Sequence, residues 1–169
     1  MEVRTPRKVM VALECNEENI HVLEWALDYI ILPSSSSSLV SDHLVILFIA
    51  QKTPCTVALK ESMITSNSFI DVEKNENQTV YGMAEQVRNM CERNNITYEM
   101  KIMVGDAKLL ICEAANKLRV NLLIVGNHDY GGAKRLLSSS SSVSDYCVQH
   151  AKCPVMVVKR HQRGTKEEC

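Results

Sequence analysis

The sequence predicts an α/β domain built on a doubly wound parallel sheet of five strands, with helices on both faces. Short apolar runs alternate with stretches whose apolar residues recur every three or four positions, as in successive strand–helix–strand units. Residues 8–13 (KVMVAL), 44–50 (LVILFIA) and 122–125 (LLIV) are apolar almost throughout, which fits strands covered on both sides. In the C-terminal quarter, 122–125 stops at Gly126, a polar loop and a run of serines (138–142) open a short helix, and Pro154 leads into 155–158 (VMVV). Strand, glycine, loop, helix start and strand make up the kind of turn that holds phosphate in α/β domains.

After the first strand, Asn16 is expected to cap the first helix, with Glu17 and Glu18 suited to the positive end of its dipole. Ile20, Leu23, Leu27 and Ile30 form that helix's apolar stripe, with Trp25 at its border, and Pro33 and the serines 34–38 end it. The second strand is 44–50. Residues 51–75, polar with Pro54 early, read as a surface excursion or a lid. Val80, Met83, Val87 and Met90 mark a second helix stopped by Asn94-Asn95. Residues 96–104 alternate apolar and polar, so this third strand is expected at an edge of the sheet with one polar side. Gly105-Asp106 makes a turn and caps a third helix buried through Ile111, Ala114 and Leu118, helped by Leu110 and Ala115. The fourth strand, 122–125, and the fifth, 155–159, enclose a last helix whose start, Ser142 followed by Asp145, resembles a capping box. With no repeat and no second core, residues 1–169 are expected to be one domain, its core at about 7–160 and a flexible tail at 161–169.

A chain of 169 residues is long enough to bury about two-thirds of its unfolded surface without a disulfide or metal staple. Nineteen basic residues against twenty acidic ones give a formal charge of −1, not the positive field of a duplex binder, so no nucleic-acid partner is expected. The seven cysteines are odd in number and scattered, as thiols used as small hydrophobes in a reducing compartment would be. The N-terminus has no signal-peptide pattern and no run is long enough to span a bilayer. The expectation is a cytoplasmic protein with no membrane partner, able to reach the nucleus by diffusion.

KVMVALE, the LEWAL of the first helix, VGDA ahead of the third and LLIVGNHDYGGAKRLL…SVSDYCVQHAKCPVMVVKR together resemble the universal stress proteins, those of plants most closely, over nearly the whole chain. The ending, VSDYCVQHAKCPVMVVKR, is the most specific part. The resemblance implies a Rossmann-like fold of the adenine nucleotide alpha-hydrolase type with strand order 3-2-1-4-5. It also implies a homodimer paired through the last strand, 155–159, and a stress-response binding or signalling role. One branch of that family binds ATP and another does not. Carried onto this sequence, ATP, with Mg²⁺ accompanying it, sits over the ends of strands one and four. Leu13 and Glu14 then face adenine and ribose, and Ile49 walls the adenine. Gly126, Ser141, Ser142 and Ser144 hold the phosphates, and Val125, His128, Asp129 and Val143 complete the binding site.

The phosphate loop departs from the family's pattern. Gly126 supplies its first glycine, but Asp129 stands at the second, and the third falls among 138–142, where only serine occurs. Glu14 replaces the usual aspartate at the end of the first strand, and His128 stands where arginine is common. Glycine lets backbone N–H groups approach phosphate oxygens closely. Asp129 instead sets a carboxylate beside a polyanion, which at ~4 Å costs about 1 kcal/mol in water and several times more in a drier site. Serine hydroxyls at a helix start, the pliable Gly131-Gly132 and the reach of Lys134 and Arg135 work the other way. Weakened nucleotide affinity is the expectation.

Two other readings stand beside it. One is a homodimeric interaction protein with an empty pocket, favoured by Asp129 and the missing glycines. The other is a slow ATP hydrolase, for which no base can be named, so no catalytic residue is assigned. Cys147, His150 and Cys153 lie three apart but lack a fourth ligand, and no metal is assigned. Cys15, near a helix start, is read as an inert thiol, and His128-Asp129 as loop residues rather than an acid–base pair. A phosphate added to the serines 138–142 would compete for the anion site.

Overall fold

A computed structural model describes residues 6–14, 19–33, 42–50, 78–127 and 142–159. Strands and helices alternate along them as β1 (Lys8–Glu14), α1 (Ile20–Tyr29), β2 (His43–Ala50), α2 (Gln78–Arg93), β3 (Tyr98–Val104), α3 (Ala107–Lys117), β4 (Leu122–Asn127), α4 (Val143–His150) and β5 (Val155–Lys159). The strands form one parallel sheet in the order β3-β2-β1-β4-β5, as expected.

β1 is central and both of its faces are covered. Val9, Val11 and Leu13 join Leu44, Ile46 and Phe48 in a core closed by α1 and α2. Met10 and Ala12 join Val45, Leu47, Ile49, Leu123 and Val125 in a second core closed by α3 and α4. Burial on both faces is why these strands carry no polar alternation. Each such Val, Leu or Ile stabilises the fold by about 1.5–3 kcal/mol, so β1 and β2 are its strongest contributors. At the foot of the sheet, Asn121 pins β4 to β1: its Oδ1 accepts the Lys8 N–H at 2.8 Å and its own N–H donates to the Lys8 carbonyl at 2.7 Å.

The helices differ from expectation in detail. The buried face of α1 is Val22, Leu23, Ala26 and Leu27, with Ile20 and Ile30 half-buried at its ends. Trp25 lies at the border as expected, tilted against Tyr29 with ring centroids 5.4 Å apart. Asn19, not Asn16, holds the cap position, and it is buried without making a side-chain cap bond. Asn16, Glu17 and Glu18 lie outside the described residues. In α3 the buried residues are Ile111, Ala114 and Ala115, while Leu118 is the half-buried cap residue beyond the last turn.

α2 and α3 end alike. Asn95 (φ 52°) and Arg119 (φ 50°) both adopt the left-handed conformation. After α2, Ile96 N–H donates to the Cys91 carbonyl at 2.9 Å and Asn95 N–H to Glu92 at 3.1 Å. After α3, Val120 donates to Ala115 and Arg119 to Asn116, both at 3.1 Å. These nested bonds satisfy carbonyls that would otherwise have no partner. Asparagine tolerates this conformation, whereas arginine carries a steric cost.

β3 is an edge strand as expected, but its polar side is not simply wet. Lys101 is only 6% exposed, with Nζ 2.5 Å from Glu99 Oε1, and Glu99 Oε2 lies 3.5 Å from His43 Nε2. Burial works against ionising Glu99. Lys101 and His43 outweigh it and hold the carboxyl below its ordinary range. A second ion pair ties the chain at the same, amino end of the strands, just ahead of β1 and β2. Arg7 forks onto Asp42, Nε to Oδ1 at 2.9 Å and Nη2 to Oδ2 at 2.6 Å, and Asp42 Oδ2 also accepts the Leu32 N–H at 3.0 Å. The Asp42 side chain is fully buried.

Candidate functional site

The order of strands reverses between β1 and β4. From β1 the chain passes through α1 on one face toward β2, and from β4 it passes through α4 on the other face toward β5. Such divergence opens a crevice beyond the carboxyl ends of the two strands. Glu14 ends β1, half-buried, and Gly126 and Asn127 end β4. The start of α4 faces the same region. Ser142 is its cap, in extended conformation, with Oγ accepting the Asp145 N–H at 3.1 Å and lying 3.0 Å from Ser144 Oγ. Ser144 is buried and Val143 half-buried.

Register decides which of the expected residues share a wall, because paired residues in neighbouring strands point the same way. Glu14 pairs with Ile49, and both lie on the α3/α4 side with Val125. Leu13 pairs with Phe48 on the α1/α2 side. Their side chains therefore do not line one adenine pocket: Leu13, Ile49 and Val125 are packed into two separate cores. Asn127 follows Val125 by two residues and so turns to the side of Glu14. Sequence reading missed it by ending the strand at Val125. The strand continues because Gly126 and Asn127 pair with Val158 and Lys159 of β5. Asp145, expected only as a capping residue, also places a carboxylate in the first turn of α4.

Gly126 has a packing role of its own. A Cβ there would lie 2.9 Å from Val22 Cγ2 and 3.4 Å from Asn19 Oδ1. Its bare backbone lets the first turn of α1 press onto the end of β4, a requirement independent of any ligand. The start of α3 stands at the same rim. Gly105 (φ 150°) donates its N–H to the Ala50 carbonyl at 3.1 Å, and Asp106 Oδ1 caps the helix by accepting from Lys108 at 2.9 Å and Leu109 at 3.3 Å.

His128, Asp129 and Ser141 lie outside the described residues, as do Cys15, Gly131, Gly132, Lys134, Arg135 and the serines 138–140. Two surface clefts lie away from the crevice. One of about 230 Å³ is lined by Asn116, Arg119, Lys152 and Cys153 among others, and one of about 280 Å³ runs between α1 and α2. Among the described residues no three His, Cys, Asp or Glu side chains are grouped as a metal site. His150 instead stacks on Tyr146 at 4.0 Å, its Nδ1 3.0 Å from the Tyr146 carbonyl. No helix among these residues is long and apolar enough to cross a membrane.

The sequence profile of the universal stress protein family matches residues 5–159. The chain belongs to that family. Among curated relatives, Universal stress protein A-like protein of Arabidopsis thaliana is 30% identical to this universal stress protein over 100 residues, 59% of the chain and 56% of the relative. Universal stress protein PHOS32 of the same plant is 28% identical over 162 residues, 90% of the chain and 64% of the relative. This universal stress protein thus spans less than two-thirds of the length of these relatives. Of solved structures, a universal stress protein in complex with cAMP superimposes with a TM-score of 0.59 at 17% identity, covering 92% of this chain and 98% of the other. A universal stress protein family protein from Arabidopsis thaliana with AMP bound gives 0.57 at 23% identity, covering 96% and 98%. At these identities the likeness establishes the fold.

Proposed function

We propose that this universal stress protein is a single-domain, stress-linked binding module that takes an adenine nucleotide across the carboxyl ends of β1 and β4 and works by occupancy rather than catalysis. The observation that carries the reading is the start of α4 at the strand reversal. Helix geometry leaves the Val143 and Ser144 N–H groups no carbonyl within the helix, and the dipole adds partial positive charge there. The hydroxyls of Ser142 and Ser144 lie 3.0 Å apart at that start. In this reading Gly126, Ser141, Ser142, Val143 and Ser144 meet phosphate, with His128 and Asp129 in the loop above. Glu14 accepts from ribose hydroxyls, and Asn127 offers an amide beside it. Leu13, Ile49 and Val125 contribute main chain. The relatives solved with AMP and with cAMP support an adenine ligand.

Asp129 and Asp145 make each added phosphate costlier, so AMP and cAMP bind more tightly than ATP, and Mg²⁺ recovers part of the loss for ATP. Isothermal titration with the three nucleotides, with and without Mg²⁺, tests this. Ser142→Ala should weaken every one of them. No heat and no thermal shift at millimolar concentrations of all three would leave the nucleotide-free interaction module as the reading. Among the described residues of the crevice none is assigned as a base for ATP hydrolysis.

The homodimer forms through β5. Its residues Val155, Met156 and Val157 are half-buried on an edge strand, which apolar side chains expose at the risk of unwanted pairing unless a partner covers them. Light scattering of Val157→Lys should report a monomer, and a dimer of unchanged mass would put the interface elsewhere. Cys91, Cys112, Cys147 and Cys153 are all free thiols, in keeping with a reducing, cytoplasmic setting.

A further inference from the structure

Three thiols lie on the α3/α4 side of the sheet, and two of them are in contact. Cys147 of α4 is fully buried in that core, and Cys112 of α3 and Cys153, just before β5, are half-buried against it. The Cys112 S–H donates to Cys147 Sγ at 3.9 Å, across a separation of 35 residues in sequence. Cys91 lies in the opposite core and has no access to them. We propose that Cys112 and Cys147 are a redox pair: under sustained exposure to a low-molecular-weight disulfide they join into a disulfide that ties α3 to α4 and resets the nucleotide site.

The step balances as two thiol–disulfide exchanges. Cys112, the half-exposed member, gives its proton to solvent, and its thiolate attacks one sulfur of the small disulfide RSSR. A Cys112–SR bond forms, the S–S bond of RSSR breaks, and the departing RS⁻ takes up a proton. The Cys147 thiolate then attacks Cys112 Sγ, the mixed bond breaks, and a second RS⁻ leaves and is protonated. Two protein thiols are oxidised and one RSSR is reduced to two RSH.

Closing the bond requires the sulfurs to approach to about 2.05 Å, so the two helices must draw together by up to about 2 Å at that point. A packed core does not deform smoothly, and α4 is only eight residues long. Cys147 lies one turn beyond Ser144, whose hydroxyl meets that of the cap Ser142. The displacement therefore reaches the helix start assigned to phosphate. This consequence rests on the nucleotide reading, whereas the disulfide itself does not.

Burial pushes the Cys112 thiol up from its ordinary value and the Cys147 thiol up to about 12, with Cys112 and Cys153 adding to the latter. Little thiolate exists at neutral pH, so the exchange is slow and its rate climbs roughly tenfold per pH unit. The pair ignores brief oxidation and records prolonged oxidation.

The test equilibrates the full chain with oxidised glutathione, blocks free thiols with N-ethylmaleimide and maps tryptic peptides without reduction. Trypsin places Cys112 in 109–117, Cys147 in 136–152 and Cys153 in 153–159, one cysteine each. The expected product is the 109–117/136–152 cross-link, formed faster at pH 9 than at pH 7 and reversed by reduced glutathione. It should persist in Cys153→Ala and vanish in Cys112→Ala. Absence of the cross-link at equilibrium in the folded wild type, or a dominant Cys112–Cys153 link, overturns the pair. The affinity for AMP, titrated on reduced and cross-linked protein, should change at least threefold. An unchanged affinity with the cross-link present overturns the coupling, and no AMP binding by either form faults the nucleotide reading while the pair stands.

Discussion

Gly126 separates a packing explanation from a ligand explanation, and Gly126→Ala decides between them. The added methyl would sit 2.9 Å from Val22 Cγ2, well inside the roughly 3.5–4.0 Å at which carbon atoms attract. Val22 is wholly buried in the α1/α2-side core, so its methyl cannot swing into solvent. Overpacking of this sort costs about 1–3 kcal/mol. Restricting the unfolded chain returns about 0.4–1 kcal/mol, because residue 126 is not among those with positive φ. The net expectation is a loss of about 1–2 kcal/mol, a fall in Tm of about 2–8 °C for a domain of this size. Urea unfolding should show the midpoint moved and the slope unchanged. Val22→Ala alone should cost about 2–3 kcal/mol. It also makes the room that the methyl added by Gly126→Ala needs, so the double variant should be more stable than the sum of the two by about 1 kcal/mol. A Gly126→Ala protein as stable as wild type, or strictly additive losses, would refute the reasoning and return this glycine to the ligand alone.

Asp42→Ala strips the Arg7 fork and the Leu32 N–H of their shared acceptor, and chemical denaturation should register a loss of about 2–4 kcal/mol. Arg119→Gly relieves a left-handed arginine at the end of α3 and should raise stability by about 0.5–1 kcal/mol in the same assay. The folded-state pKa of Glu99 is lowered, so the stability it adds is full above its unfolded value and disappears as pH falls through its folded one. Glu99→Gln should therefore be less stable than wild type near pH 7, and the gap should close below about pH 4 in urea midpoints measured across pH.

Particular residues show what the sequence could and could not reveal. β1, β2 and β4 were legible because strands buried on both faces leave an unbroken apolar run that little else produces. The stop at Asn94-Asn95 was legible because a left-handed turn favours asparagine, whereas Arg119 does the same work with no such signal. The start of α1 was not legible. Asn16 and Asn19 both suit a cap, and the contacts of Asn19 and Val22 with Gly126 are tertiary. The burial of Lys101 was hidden because its partner Glu99 is itself held by His43 from β2, 56 residues away. At the candidate site the serine cap of α4 was plain from its spacing. The opposite facing of Leu13 and Ile49 was not, because parity within a strand says nothing until the register with its neighbour is known. The meeting of Cys112 and Cys147 had no trace in spacing at all.

The helices that cover one face of the sheet, α1 and α2, precede those that cover the other, α3 and α4. A chain leaving the ribosome amino end first can thus assemble most of one side, short of Ile124 and Val158, while Met10, Ala12, Val45, Leu47 and Ile49 remain an oily, open underside, and β1 waits for β4. Until α3, β4 and α4 have been translated, the nascent molecule is a natural client for a holdase. A premature stop after β3 would yield a sticky fragment rather than a smaller working domain.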